Sequence, residues 1–455
     1  MTPPDPIAGP SVAATSAGSR EGAVAGSPDA ARGVGARQFD GPAADVHGVP
    51  QSRWFVAAFL FAQFGLTLIL LGTAGITLPL RYSELDPARK AQLLATTAGM
   101  GGVAVMVSTP LFGRLSDRCR SRFGMRRPFI LGGVASGGLG MLLLSSAETP
   151  LETMAAWVLA QIAYAATSAG IHALLADAVP RRIRARVSAG FGLAAGLATV
   201  AGGQLVDRLP DSPLWWFGVP ALICFTASGL LVLVLRDRHL EEAPRRPLGV
   251  REVAASYWLS PRRHPDFAWA WVCRFMVTMS ILTVGTFMVY FLTDELGVSR
   301  RDAPRQVSLV LAVYFTAGIL TTLFFGWISD RTGRRKAIVW TSALFTAVGL
   351  GLASAAPDLR TFLVCIAVAG LGQGAFVSVD VAMMTEVLPS SADTGKDLGI
   401  LALSYLMPQA LLPLVTAPLL AIGAGDQSNY RALWVGAAVL AVVGALAVLP
   451  IRTVR

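Results

Sequence analysis

Gly113-Arg-Leu-Ser-Asp117-Arg118, running on to Gly124-Met-Arg126-Arg127, is echoed later in the chain by Gly326-Trp-Ile-Ser-Asp330-Arg331, running on to Gly333-Arg-Arg335-Lys336. Gly124, Arg126 and Arg127 match Gly333, Arg335 and Lys336 at an offset of 209 residues, and the same offset carries Asp177-Ala-Val-Pro180 onto Glu386-Val-Leu-Pro389. Two separate segments obeying one spacing point to a chain made of two duplicated halves.

What surrounds these loops is apolar. Stretches with almost no charge recur twelve times, at approximately 54–80, 91–112, 128–147, 153–176, 187–206, 214–235, 267–292, 306–326, 336–356, 360–384, 397–422 and 429–450. Each is close to the ~20 residues a helix needs to cross hydrocarbon. Arg236 to Asp266 is polar, with Pro244, Pro247, Pro261 and Pro265, and reads as a linker between halves. The expected organisation is a disordered cytoplasmic tail over 1–50, a six-helix bundle over 51–235, a cytoplasmic linker over 236–266 and a second bundle over 267–455. The tail is rich in Ala, Gly and Pro and has one aromatic residue, Phe39, too little to order itself.

Composition agrees. Of 455 residues 54% are apolar and 15% charged, where a soluble domain carries about a quarter charged, which disfavours a soluble enzyme. The net charge of +10 could suit nucleic acid, but the basic residues lie in short segments between spans rather than on one polar face, so no nucleic-acid partner is expected. With the N-terminus inside, the cytoplasmic connections hold 22 Lys or Arg against 9 in the outer ones. Basic residues favour the cytoplasmic side, so both termini are expected in the cytoplasm, in a plasma (inner) membrane. Cys119, Cys224, Cys273 and Cys365 form no C-x-x-C pair and have no His at ligand spacing. No metal or cofactor is expected.

The paired loops and the D-x-x-P motif with Arg186 after it resemble the major facilitator superfamily over 54–450. Ser116-Asp-Arg-Cys-Arg-Ser-Arg-Phe-Gly-Met-Arg-Arg-Pro128, Val379-Asp380, Leu388-Pro389, Lys396-Asp-Leu-Gly399 and Pro408-Gln409 are similar to its branch of sucrose-proton and glycoside-pentoside-hexuronide cation symporters. The pattern departs from that branch at Met125, where Arg is usual, and in the first span, which has no carboxylate. The resemblance implies an all-α membrane protein, twelve transmembrane helices in two six-helix pseudo-repeats, with spans one, four, seven and ten around a central cavity.

The loops have a mechanical reading. A carboxylate at Asp117 is favoured by the N-terminal end of helix eleven, which starts at the same face; Arg118, Arg126 and Arg127 can hold it in place, and Gly113 allows close approach. Gly326, Asp330, Arg331, Arg334 and Arg335 are the equivalents in the second half. Asp177 and Glu386 end their helices, where the dipole opposes a carboxylate, so partners are expected in Arg186 and Lys396. Topology alone explains the basic residues, but not an Asp in the same place of both halves.

Inside the spans three ionisable residues stand out: His172, Arg274 and Asp380. Charge there is costly unless paired or wet. Arg274 lies seven residues past Phe267 and Asp380 six before Glu386, both roughly 10 Å from one face, so they are expected to pair. The pair is either static or breaks when Asp380 takes a proton or substrate competes for Arg274. Gln161, Tyr164, Ser168 and His172 share a helical stripe; Gln63 with Thr67, and Gln373 with Asp380, add polar groups for a small solute. The expectation is a monomeric, proton-coupled symporter of a sugar or glycoside, surrounded by membrane lipid and not an enzyme, since acidic residues are dispersed or belong to the loops. A proton-driven exporter, and a solute receptor without flux, stand as the alternatives.

Overall fold

The computed structural model describes residues 51–237, 264–386, 394–423 and 428–451, excluding the side chains of 181, 330, 381, 382, 384–386 and 394–401. Twelve helices are long and apolar enough to cross a membrane, and there is no strand among the described residues. They are α1 Phe55–Leu85, α2 Lys90–Asp117, α3 Arg127–Ser146, α4 Pro150–Asp177, α5 Arg181–Arg208, α6 Pro213–Val234, α7 Pro265–Glu295, α8 Ala303–Thr332, α9 Arg335–Ser354, α10 Leu359–Glu386, α11 Thr394–Ala421 and α12 Tyr430–Ala447. Their outward faces carry large apolar side chains such as Leu139, Leu222, Leu323 and Leu414, all exposed. Such a surface belongs against lipid.

The helices start and stop for local reasons. Thr149 and Glu152 form a capping box at the start of α4, and Pro sits in the first turn of α3, α4, α6, α7 and α8, where its missing N–H costs nothing. Gly333 ends α8 with φ of 64°, and its repeat partner Gly124 turns the other loop with φ of 104°. Both need the left-handed region, which is why glycine recurs at the 209-residue offset. α1 and α7 each contain one π-helical turn, Thr73–Thr77 and Phe291–Glu295.

Packing repeats between the halves. Gly133, Gly137 and Gly140 of α3 press on α4, and Gly349 and Gly372 bring α9 and α10 together in the same way. Across the seam, Gly99 and Gly102 of α2 meet Pro413 and Ala410 of α11, while Gly203 of α5 meets Pro304 and Ser308 of α8. Elsewhere on α5, Gly192 has open space around it and Gly190 faces Leu60. α11 stays helical through Pro408, Pro413 and Pro418.

The apolar core is asymmetric. One continuous cluster joins Ile76, Leu80 and Tyr82 of the first half to Phe287, Tyr290, Phe291 and Trp434 of the second, at the end opposite the Arg-rich loops. At the Arg-rich end the second half has its own cluster around Phe267, Val339, Phe376 and Val448. Tyr290 is fully buried in the shared cluster and donates its hydroxyl to the Pro79 carbonyl at 3.0 Å.

Candidate functional site

Arg274 of α7 and Asp380 of α10 meet as expected from their depth, with Nη1 3.1 Å from Oδ2. The Asp380 side chain is 8% exposed, and its other oxygen, Oδ1, is buried without a hydrogen-bond partner. An acceptor left open beside a paired charge is a place for a proton or a solute donor, because burial without a partner is costly.

The polar stripes divide. Gln63 donates to Thr67 Oγ1 at 3.1 Å, leaving Gln63 Oε1 buried and unpartnered, and Gln373 Oε1 is in the same condition. His172 is exposed, with Nδ1 3.0 Å from Ser168 Oγ and its ring edge-on to Phe191 at 5.4 Å. Those contacts lie within the first six spans, whereas Arg274 is the charged partner of Asp380. Gln161 is buried beside Trp157 and Gly101. Tyr164 departs from the stripe: it is fully buried, its ring lying against Gly137 of α3. It sits about 60° round the helix from Gln161, at the stripe's margin, and the missing side chain at Gly137 draws the ring into the α3/α4 interface. Of the other tyrosines, Tyr290 is locked in the core and Tyr405 is exposed.

The Arg-rich end is organised by one residue. Arg126, only 5% exposed, lies 2.6 Å from Asp117 and 2.8 Å from Asp177, and donates to Ser116 Oγ at 2.9 Å. The partner of Asp177 is thus Arg126, and Arg186 is exposed; the loop before α3 passes directly under the end of α4. Arg127 turns away from Asp117 to donate to the Leu235 carbonyl at the end of α6. Its repeat partner Lys336 does the same to the Leu449 and Ile451 carbonyls after α12. A cation at a helix C-terminus is favoured by the dipole and the free carbonyls. Arg118 is half-buried at the C-cap of α2, Arg331 stacks over Trp327 at 5.3 Å, and Arg335 opens α9 half-buried. Gly113 has nothing within 4 Å of where a Cβ would stand, and Gly326 has only Ser378 at 4.0 Å, so neither is a point of close approach here. The side chains of Asp330, Glu386 and Lys396, the tail and most of the linker lie outside the described residues.

The family model of the Major Facilitator Superfamily matches residues 53–304 and 270–455. The chain belongs to the major facilitator superfamily. An arabinose-proton symporter of Bacillus subtilis (strain 168) is 32% identical over 99 residues, 22% of this chain, and the match spans 20% of that relative's length. Among solved structures, a bacterial homolog of the human lysosomal transporter Spinster, inward-facing and unoccupied, superposes with a TM-score of 0.66 at 13% identity, covering 88% of this chain and 95% of its own. The nucleoside transporter NupG gives 0.66 at 14% identity, covering 87% and 98%. As a member of the superfamily the chain is an integral membrane secondary transporter.

One residue of this superfamily member escaped the sequence reading. Asp237 Oδ2 accepts from the backbone N–H groups of Arg126 and Arg127 at 2.7 and 2.9 Å, capping α3 from the start of the polar stretch. Its only sequence signal is an acidic residue among basic ones. Asp237→Ala is expected to lower thermal stability by about 1 kcal/mol, read as a reduced Tm of the purified protein; an unchanged Tm overturns the cap.

Proposed function

We propose that the protein is a proton-coupled symporter of a small polar solute, such as a sugar or glycoside, in which Asp380 carries the proton and Arg274 is its counter-charge. The Arg274–Asp380 pair carries this reading. It lies within two spans, is largely buried and leaves Asp380 Oδ1 open. Protonation of Asp380 removes one charge of the pair, frees Arg274 to meet solute, and lets the pair re-form after the proton leaves. Gln63, Thr67, Gln161, Ser168 and Gln373 offer polar contacts to a hydroxylated solute, and His172 of α4 is a second titratable group within the spans. The matched arabinose-proton symporter fits this chemistry.

In the orientation expected from the basic loops, the Arg126 cluster would face the cytoplasm and the shared apolar core would close the outer end, an inward-facing arrangement. Asp117, Arg118, Asp177 and Arg126, with Asp330, Arg331, Arg335, Glu386 and Lys396 of the second half, then work the cytoplasmic gate. Uptake of radiolabelled sugars into proteoliposomes tests the reading. Accumulation is expected with an acid-outside gradient and is expected to collapse with a protonophore; equal uptake with and without the gradient, or none of any sugar, overturns it.

A further inference from the structure

Where α1 turns into α2 and α7 turns into α8, two ion pairs cross between the halves. Lys90 Nζ lies 2.6 Å from Asp294 Oδ2, and Arg300 Nη2 contacts Glu84 Oε1. The Lys90 and Asp294 side chains are 19% and 28% exposed. Lys90 also stands 4.9 Å over the ring of Tyr290, an added attraction for the cation, while the Tyr290 hydroxyl reaches across to Pro79. Around them, Arg81 holds Glu84 at 2.9 Å and Arg431 holds Glu295 at 2.7 Å, each within one half.

The four charges recur at a spacing of their own, one residue more than the 209 that relates the loops. Glu84 and Asp294 are 210 residues apart, and so are Lys90 and Arg300. Each half therefore carries a carboxylate and, six positions on, a cation. In space the pairing is crossed: the carboxylate of each half meets the cation of the other. This is the pattern of a self-complementary two-fold contact, written twice into one chain. Both pairs stand in the two outer connections richest in basic residues, 81–90 and 293–305, which hold three each.

We propose that Glu84, Lys90, Asp294 and Arg300 form a duplicated, reciprocally paired latch that holds this end of the transporter shut and parts when that end opens. Partly exposed pairs are individually weak, so each biases the closed state by roughly two- to fivefold, and two together multiply. A latch of this strength closes the end without trapping it. The proposal needs only the transporter fold, and stands whatever the solute or coupling ion.

Spin labels at Arg89→Cys and Arg301→Cys, with Cys119→Ser, placed in the full chain in lipid nanodiscs, read the distance across this end. The parent is expected to give mainly a short distance. Lys90→Asp or Asp294→Lys alone is expected to raise the long-distance population roughly two- to fivefold, and the exchanged double Lys90→Asp/Asp294→Lys to return it to the parent's. Glu84→Arg and Arg300→Glu are expected to behave alike. The neutral Lys90→Met and Asp294→Asn give the same reading if a reversed charge blocks insertion. Singles that match the parent, or exchanged doubles that stay as open as the singles, overturn the latch.

Discussion

Asp380→Asn is expected to lower gradient-driven accumulation more than about tenfold while leaving membrane insertion intact. Asn keeps the shape of the carboxylate but carries no proton, and it leaves Arg274 facing a neutral amide inside the membrane. Truncating one partner of a buried pair costs more than removing both, because the survivor is left uncompensated. The variant Arg274→Met/Asp380→Asn is therefore expected to regain stability relative to Asp380→Asn alone without regaining accumulation. That split separates a coupling group from a clamp between α7 and α10. If the double variant recovers gradient-driven uptake in proteoliposomes, or if Asp380→Asn leaves it unchanged, the pair is structural and coupling lies elsewhere.

Arg126→Ala is expected to be the most destabilising single change at the Arg-rich end. Arg126 satisfies Asp117, Asp177 and Ser116 at once, and its loss leaves two carboxylates facing one another at the ends of α2 and α4. Their own exposure screens that repulsion, so the expected cost is about 2 kcal/mol rather than the larger value of a dry triad. Arg126→Lys is expected to recover only part of it, since an ammonium cannot fork between two carboxylates while also reaching Ser116. Thermal unfolding in detergent measures both. A Tm for Arg126→Ala equal to the parent's, or full recovery by Lys, would show that another residue bears these carboxylates.

Much of this was legible in the sequence because membranes impose simple rules. The twelve spans follow from hydropathy alone, and the duplication from Gly124 and Gly333, whose positive φ angles tolerate little else. Arg274 and Asp380 were readable as partners because charges in hydrocarbon are rare and these two share a depth. The partner of Asp177 was not, because it depends on how the loop before α3 crosses under α4, which no spacing along one helix reveals. Tyr164 was misplaced for a related reason: periodicity ranks a residue's direction, but a glycine on a neighbouring helix decides a residue at the margin. The crossed pairs at Lys90 and Arg300 looked like ordinary loop charges until their 210-residue spacing met their partners in space.

Arg127 and Lys336 each fasten the last helix of a half to its third, so neither tie crosses the seam. Contributions made wholly inside a half are the same in every conformer that moves the halves as bodies, and they cancel from the difference between conformers. Only seam terms remain to set the populations: the α2/α11 and α5/α8 contacts, the shared apolar cluster and the two crossed pairs. A balance resting on so few terms lies within reach of one proton or one solute molecule, whose differential binding need supply only a few kcal/mol to invert it.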